Sequence, residues 1–378
     1  MIACQVAYTL FHIPTKIARV RTSDYLNYKD LFVQEALPID VLISPELLVS
    51  EYVKNLIEHP GALQVLNFAK GKVQLIAVRV HADSDQVGKK ISAVFDEKIS
   101  AYASVVAIYR GQEAVVIDAE TRMQGGDDLF FITAKVEAKN ITTLIQGLDK
   151  PNRSILIAGG GNIGFQLAQI LEHHFRVKLI ERDVERAKYL SEILDKTIVL
   201  HGDAADEEML LEENIDSIDV FCSLTNDDEA NILSAMLAKR LGARKVMSLI
   251  NRPSYVELVE SGMIDIAISP QQVTIGALLA HIRRGDVVAV HSLRKGAAEA
   301  IEAVAHGDEK TSKVVGRKVA ELKLPKGTSI GALVRDEEVL IANPDLSIEA
   351  EDHVIMFLSD KSKVGEVERL FQVSATFI

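Results

Sequence analysis

Short apolar runs alternate with amphipathic helical stretches through the second half of the chain. Residues 154–158 form a short apolar run, typical of a strand that is buried on both faces of a parallel sheet. The helical stretch that follows has apolar residues at i, i+4, i+7 and i+8 from Ile163 to Leu171, so one of its faces is apolar. The alternation continues with further strands predicted at 177–180, 197–200, 220–224, 246–250 and 264–268. Because helices separate the strands, the pattern predicts a parallel, doubly wound Rossmann sheet.

A glycine-rich turn joins the first of these strands to the first helix. The turn reads GxGxxG, in which Gly159 allows a tight bend, Gly161 lets the backbone approach a pyrophosphate and Gly164 lets the helix pack on the strand. The free N–H groups of the first helical turn then point at the phosphates. Glu181 ends the second strand, where a carboxylate that follows the glycines at this spacing can accept from ribose hydroxyls. The turn therefore predicts an adenine nucleotide site with NAD(H) as the ligand, and a glycine turn that binds nothing is the alternative.

The turns after the third and fourth strands supply further predicted ligand contacts, because they meet at the carboxyl edge of the sheet. Asp203 and Ala204 are expected near the adenine, and Thr225 and Asn226 nearer the phosphates or the distal group. Helix capping is the alternative role for Asp203. Arg182 leaves room for a 2′-phosphate, although the glutamate before it disfavours one by charge repulsion. The predicted cofactor-binding residues of this domain are Gly159, Gly160, Gly161, Asn162, Ile163, Gly164, Glu181, Arg182, Asp203, Ala204, Thr225 and Asn226.

The sequence predicts neither a catalytic residue nor a metal site. A dehydrogenase needs a general acid or base, commonly His or Lys, that faces the nicotinamide. No His, Lys or Tyr is convincingly placed after the fourth or fifth strand. The acidic residues 227–229 open a helix, so capping explains them better than a bound cation does. The chain is therefore predicted to be a nucleotide-binding regulator, with an NAD-dependent oxidoreductase as the alternative and a scaffold without ligand as a third class.

Composition narrows the class of partner. The chain has 378 residues, enough for about two to four domains, and its net charge of −12 repels phosphate backbones, which argues against nucleic acid. No apolar run approaches the roughly 18–20 residues of a membrane span, and the N-terminus lacks the pattern of a secretory signal. Cys4 and Cys222 are predicted to be small core residues rather than reactive thiols. A cytoplasmic protein is expected.

The chain also repeats itself at a constant offset. Residues 40–45 match residues 265–270, and residues 16–20 correspond loosely to residues 245–249. The order is therefore the tail of a Rossmann sheet, a small lobe of short strands, a whole Rossmann sheet and a second small lobe. The first copy lacks a glycine turn, so about 80 residues are expected to be absent from its front and its nucleotide site to be incomplete. The predicted domains are 1–60, 61–147, 148–284 and 285–378.

Four features together resemble the RCK (KTN) family of nucleotide-binding channel regulators, and within it the regulatory subunits of the Trk potassium-uptake system. These are the glycine turn with Glu181, the segment Thr225–Glu229, the repeated Ile-Ser-Pro segment and the duplicated N-lobe and C-lobe. The similarity covers the whole chain except the absent front. It implies an α/β fold in a tandem RCK arrangement, in which a truncated and then a complete doubly wound parallel Rossmann sheet are each followed by a small α+β C-lobe.

The resemblance also implies a function and partners. Such subunits form a cytosolic ring at the inner face of the plasma membrane, a homo-oligomer that is a dimer or a tetramer. They gate a membrane potassium transporter on binding NAD(H) and ATP or ADP. Arg19 and Arg252 would match family arginines that reach the nucleotide or a neighbouring subunit, although the repeat loses register at Arg252. Apolar residues on the predicted helices 45–58 and 270–284 would form the pairing surface, or would be buried within one chain. These residues are Leu47, Leu48, Val53, Leu56, Ile275, Leu278, Leu279 and Ile282.

Overall fold

The computed structural model describes residues 1–21, 25, 28–111, 113–146, 151–259, 264–282, 286–293 and 297–373. Contacts divide the chain into two compact units, each assembled from two segments. The first unit combines Met1–Ile57 with Asn152–Thr274, and the second combines Glu58–Pro151 with Ile275–Ile378. The four domain boundaries expected from the sequence stay a prediction.

The first segment of the first unit holds a two-stranded parallel sheet and two helices. These elements are α1 (Ile2–Phe11), β1 (Ile17–Arg19), β2 (Val41–Ile43) and α2 (Pro45–Glu58). β1 and β2 pair in parallel, with Ile17 opposite Val41. α2 begins at a proline, whose fixed φ suits the first helical turn. Val53 and Leu56 of the expected pairing surface are fully buried, so burial within the chain accounts for these two residues.

The next elements belong to the second unit and form a small α+β lobe. They are β3 (Ala62–Phe68), β4 (Val73–Arg79), α3 (Ile91–Val94), α4 (Glu97–Ser100), β5 (Ala103–Arg110), β6 (Glu113–Val115), β7 (Asp127–Ala134) and α5 (Ala138–Gln146). The strands form one antiparallel sheet in the order β3-β4-β7-β5-β6. β4 and β7 are buried along nearly their whole length, as central strands of a covered sheet are.

The second segment of the first unit is a complete α/β domain. Its elements are β8 (Ser154–Ala158), α6 (Asn162–Leu171), β9 (Arg176–Glu181), α7 (Val184–Ile193), β10 (Ile198–His201), α8 (Glu207–Glu212), β11 (Val220–Ser223), α9 (Asp228–Arg240), β12 (Lys245–Leu249), α10 (Pro253–Val259), β13 (Ile266–Ile268) and the start of α11 (Pro270–Ile282). The residues of α11 from Ile275 onward belong to the second unit. Neighbouring strands are parallel in the order β10-β9-β8-β11-β12-β13. This order confirms the predicted doubly wound Rossmann sheet. β8 neighbours β11, so the strand order reverses between them and their carboxyl ends flank a crevice.

The helix predicted over 270–284 is observed as α11, whose last residue is Ile282. Residues 283–285 and the side chain of Ile282 lie outside the described residues.

The remaining described elements form a second α+β lobe in the second unit. They are β14 (Val287–Leu293), β15 (Ala298–Val304), β16 (Thr328–Arg335), β17 (Glu338–Ile341), β18 (His353–Leu358) and α12 (Val364–Phe371). Their antiparallel order, β14-β15-β18-β16-β17, repeats the order of the first lobe. An ion pair repeats too, from Arg110 Nε to Asp127 Oδ1 at 2.8 Å and from Arg335 Nη2 to Asp352 Oδ2 at 2.9 Å. Because the two pairs stand at the same offset as the matching segments 40–45 and 265–270, the fold follows the repeat seen in the sequence.

Candidate functional site

The turn between β8 and α6 uses two of its glycines for close backbone packing. Gly159 has a φ of +103°, a region that favours glycine, and a Cβ there would lie 2.9 Å from Thr225 Cγ2. A Cβ on Gly164 would lie 1.9 Å from the carbonyl oxygen of Gly159. Both positions therefore require glycine, Gly159 because the loop after β11 lies against it and Gly164 because α6 passes the turn at contact distance.

Gly160 is held by Glu181 at the end of β9. The Gly160 N–H donates to Glu181 Oε2 at 2.7 Å, and the Asp183 N–H donates to Oε1 at 2.8 Å. A Cβ on Gly160 would lie 2.3 Å from Leu190 Cδ1 of α7, so packing leaves no room for a side chain. The carboxylate therefore braces the turn, and each of its oxygens keeps acceptor capacity for a ligand hydroxyl.

Gly161 is the N-cap of α6 and faces open space. Its φ is −66°, and no neighbouring atom of the described chain lies within 4 Å of its Cβ position. The first N–H groups of an α-helix have no acceptor inside the helix, and the helix dipole adds partial positive charge at the same end. This end of α6 is therefore built to bind an anion such as a phosphate.

A cavity of about 830 Å³ opens on this end of α6, within the range of roughly 300–1,000 Å³ typical of ligand sites. It lies at the carboxyl ends of the strands, in the crevice flanked by β8 and β11. The predicted residues that line it are Gly159, Gly161, Asn162, Ile163, Glu181, Arg182, Asp203, Ala204, Thr225, Asn226 and Arg19.

Gly160, Gly164 and Arg252 were predicted to bind the cofactor but do not belong to the cavity lining. The two glycines pack behind the turn, as described above. Arg252 instead forms an ion pair from Nη1 to Glu229 Oε1 at 2.8 Å and donates to the Tyr255 hydroxyl at 2.9 Å. The acid in the first turn of α9 thus holds the guanidinium outside the cavity. Contact between Arg252 and a neighbouring subunit stays a prediction.

Sequence reasoning missed charged residues of the lining, namely Arg21, Glu46 and Asp227. Glu46 lies in the first turn of α2 and pairs with Arg19, Oε1 to Nη2, at 3.2 Å. Ser50 Oγ of the same helix donates to the Ile163 carbonyl at 3.2 Å, which fixes α2 beside the first turn of α6. The repeat pointed to this helix but not to its acid, because the equivalent position in the second copy is Gln271. The other lining residues missed are Ala158, Ile180, Gly202, Ala205, Leu224, Ala230 and Ser234.

The loop after β11 is fixed by Asn231 of α9. Both the N–H and the hydroxyl of Thr225 donate to Asn231 Oδ1, at 2.9 and 2.7 Å. Asn231 Nδ2 donates in turn to the carbonyls of Thr225 and Leu249, at 2.9 and 3.0 Å. Asn231 is fully buried, so the network is shielded from water and presents Thr225 to the cavity in a defined position.

Capping explains several acidic residues near the cavity. Asp227 caps α9 by accepting from the Ala230 N–H at 2.9 Å, and Asp206 caps α8 by accepting from the Glu208 N–H at 3.0 Å. Asp228 accepts from the N–H groups of Asn251 and Arg252, both at 2.9 Å. Only Asp227 thus has the capping role expected for residues 227–229, because Asp228 instead holds the backbone that precedes α10 and Glu229 pairs with Arg252. Asp203 accepts from the Ala205 N–H at 2.9 Å and also lines the cavity.

The two cysteines differ in how deeply they are buried. Cys222 in β11 is buried, and burial raises the pKa of its thiol to about 12, so the thiol stays protonated at neutral pH. This confirms its expected place in the core. Cys4 lies on α1, a helix without buried residues, so the expectation of a core position is wrong for Cys4.

Comparison with known proteins gives the family. A TrkA-N domain model matches residues 155–270, and a TrkA-C domain model matches residues 309–372. The Trk system potassium uptake protein TrkA of Halomonas elongata is 55% identical over 377 residues, which cover 100% of this chain and 82% of that protein. The protein of the same name from Vibrio alginolyticus is 54% identical over 379 residues, with 100% and 83% covered. The chain belongs to the TrkA family.

Solved structures support the fold expected of a TrkA-family protein. The crystal structure of the GsuK RCK domain aligns with a TM-score of 0.53 at 19% identity, over 94% of this chain and 75% of that chain. The GsuK channel bound to NAD aligns with a TM-score of 0.53 at 19% identity, over 97% of this chain and 64% of that chain. At this identity the likeness shows the fold alone, which is the tandem RCK fold expected from the sequence.

Membership of the TrkA family also identifies the chain as a regulatory subunit of a potassium-uptake system rather than an enzyme. The oxidoreductase alternative left open by the sequence is therefore excluded. Within the described ranges, no helix has both the length and the apolar character needed to cross a membrane. Among the same residues, no three His, Cys, Asp or Glu side chains are grouped so as to hold a metal ion.

Proposed function

We propose that this TrkA-family subunit binds NAD(H) in the cavity of its first unit and thereby controls potassium transport through a membrane transporter. The proposal rests on the glycine turn, where Gly161 and the N-terminus of α6 face the cavity and Glu181 stands at the end of β9. An anion-binding helix end beside a hydroxyl acceptor matches the pyrophosphate and the ribose of a dinucleotide. The GsuK channel, whose fold the chain shares, is described as bound to NAD, which supports the proposal.

Different residues of the cavity lining are proposed to bind different parts of the ligand. Gly161–Ile163 would bind the pyrophosphate, and Glu181 would accept from the adenosine ribose. ATP and ADP share the adenosine and the phosphates, so we propose them as alternative ligands of the same cavity. The residues proposed for the adenine side are Arg182, Asp203 and Ala204, and those proposed for the distal group are Thr225, Asn226 and Arg19.

Control of transport requires only that the nucleotide binds two states of the subunit unequally. A tenfold preference supplies about 1.4 kcal/mol per site, and several sites in one assembly add to a useful shift of the equilibrium. We therefore propose a homo-oligomer, a dimer or tetramer, that lies peripheral to the inner face of the plasma membrane against the transporter. Ile275 of α11 is 37% exposed and remains available for pairing between subunits.

Two measurements test the two halves of this proposal. Calorimetric titration of the full chain with NADH, NAD⁺, ATP and ADP is expected to show saturable binding of NADH. Potassium flux through vesicles that contain the partner transporter and the subunit is expected to change when NADH is added. Failure of all four nucleotides to bind would refute the proposal that the cavity binds a nucleotide. Binding of NADH without any change in potassium flux would refute the proposal that the nucleotide controls transport. Light scattering that shows a strict monomer would refute the oligomer.

A further inference from the structure

Arg186 of α7 supports the glycine turn from outside the cavity lining. Its Nε donates to the carbonyl oxygen of Gly160 at 2.9 Å. The guanidinium carbon lies 5.8 Å from the centre of the Phe165 ring and 5.1 Å from the centre of the Tyr189 ring. Cation–π contacts with two rings hold the guanidinium in one place. The backbone of Arg186 is fixed as well, because its N–H donates to Asp183, the N-cap of α7, at 2.7 Å.

The contact with Arg186 completes the hydrogen bonding of Gly160. The N–H of Gly160 donates to Glu181, and its carbonyl oxygen accepts from Arg186. In a trans peptide unit the carbonyl and the following N–H point in opposite directions, and the chain has no cis peptide among its described residues. A Gly160 carbonyl turned toward Arg186 therefore turns the Gly161 N–H away from Arg186, and of these two residues only Gly161 lines the cavity.

This peptide unit needs an anchor, as does the Gly159–Gly160 unit before it, whose N–H is held by Glu181. Glycines flank it on both sides, and glycine populates a wide range of φ and ψ, so the unit can rotate at low cost unless one of its ends is held. A rotated peptide would present a carbonyl oxygen to the phosphates, where an N–H is required. Fixing the peptide before binding removes the entropic cost of ordering it during binding.

We infer that Arg186 is a positioning residue, which fixes the Gly160–Gly161 peptide so that the Gly161 N–H is presented to a phosphate of the ligand. The inference rests on the proposed nucleotide site, since it assigns a support to that site. Arg186 acts through the backbone, and its contribution is limited to ligands that carry phosphate.

Three variants of the full chain separate the hydrogen bond from the charge. Arg186→Gln keeps an N–H donor as many bonds from Cα as the arginine Nε, without the charge. Arg186→Met has a similar length and no donor. Arg240→Met is the matched control, because Arg240 is an exposed arginine that pairs with Glu207 at 2.6 Å and does not line the cavity.

Affinities for NADH and for adenosine, which carries no phosphate, are measured for each variant. Arg186→Met is expected to weaken NADH binding at least about tenfold, which is ~1.4 kcal/mol. Arg186→Gln should stay within about threefold of the parent chain, and adenosine binding should change less than about twofold throughout. Unchanged NADH binding in Arg186→Met, equal losses in the Met and Gln variants, or parallel losses for adenosine would each overturn the inference.

A ligand-free measurement keeps the role of Arg186 separate from the proposed function. In the full chain labelled with ¹⁵N-glycine, Arg186→Met should shift the amide signals of Gly160 and Gly161 and leave that of Gly365 in α12 in place. Unmoved signals at Gly160 and Gly161 would overturn the positioning role. If the parent chain fails to bind NADH while the two signals shift, the proposed ligand is wrong and the role of Arg186 in setting the turn stands.

Discussion

Glu181 and Gly160 are joined by a hydrogen bond of 2.7 Å from the glycine N–H to the carboxylate Oε2. The acid at the end of β9 therefore has two roles, as the proposed ribose acceptor and as a brace for the middle glycine of the turn. Substitution of Glu181 changes both at once, so the two effects have to be separated by the choice of variant.

Glu181→Gln retains an oxygen that can accept from the Gly160 N–H but removes the negative charge. The parent chain should prefer NADH to NADPH, because the carboxylate repels a 2′-phosphate. In Glu181→Gln this preference should narrow by about tenfold, or ~1.4 kcal/mol. Glu181→Ala should also weaken NADH binding, because the brace is lost. Competition titrations of the two cofactors check this, and equal affinities in the parent chain would show that Arg182 governs the choice instead.

Gly161 offers a matched pair of substitutions with Gly365. In the described chain neither glycine has a neighbouring atom within 4 Å of its Cβ position, and neither has a left-handed φ, so both sites should tolerate leucine in the fold. Gly161→Leu would fill the approach to the N-terminus of α6 and should weaken NADH binding at least about tenfold, or ~1.4 kcal/mol. Gly365→Leu in α12 should bind NADH as the parent chain does. Undiminished NADH binding in Gly161→Leu would show that no phosphate of the ligand binds at this end of α6.

Substitution of Gly160 should instead lower the stability of the fold. Its Cβ would lie 2.3 Å from Leu190 Cδ1 and 3.0 Å from Glu181 Oε2. Overpacking of this kind typically costs about 1–3 kcal/mol, so Gly160→Ala should lower the free energy of unfolding by that amount. Gly161→Ala, measured alongside by urea unfolding, should change it by less than about 0.5 kcal/mol. A Gly160→Ala chain as stable as the parent would contradict the packing role given to this glycine.

Strand positions were predictable where burial is continuous. Residues 154–158 were predicted and observed as β8, a strand buried at every residue. The third strand was predicted at 197–200 but observed at Ile198–His201. β10 is an edge strand of its sheet and is exposed at both ends. The run of apolar residues in the sequence therefore does not show at which residues this strand begins and ends.

Site residues were predictable where the ligand motif is local, and not where the fold brings distant segments together. The lining residues of the glycine turn and Glu181 follow from spacing alone. Glu46 reaches the cavity from the first segment of the unit, far from the turn along the chain, and no local pattern indicates that contact. The contact between Arg186 and the Gly160 carbonyl is equally invisible, because α7 supplies an ordinary capped helix start there. Arg252 is the opposite case, a residue that the sequence placed in the site but that lies outside the cavity lining. Its guanidinium instead binds Glu229 and Tyr255.

The second unit should lose stability in mild acid through His291. Burial lowers the pKa of this histidine to about 4, an effect opposed by its bond to the Asn67 carbonyl, and its Nε2 lies 3.2 Å from that oxygen. The imidazole also packs edge-on against the Phe68 ring, with the ring centres 5.0 Å apart. Protonation would place a charge in this contact, so the folded state binds the proton less readily than the unfolded chain does.

The sign and the size of this effect follow from linkage. With an ordinary pKa of 6.5, the unfolded chain takes up the proton first, so the contribution is complete above pH 6.5 and is lost as the pH falls toward 4. Between pH 7 and pH 5 the loss should be about 2 kcal/mol, at 1.36 kcal/mol per pKa unit. His291→Gln keeps an N–H donor for Asn67 and does not titrate, so its unfolding free energy should fall less over this range. The exposed His173, changed to Gln, is the matched control and should keep the parent slope. Urea unfolding at pH 7, 6 and 5 makes the comparison, and equal slopes in the parent and His291→Gln chains would assign the acid sensitivity to other groups.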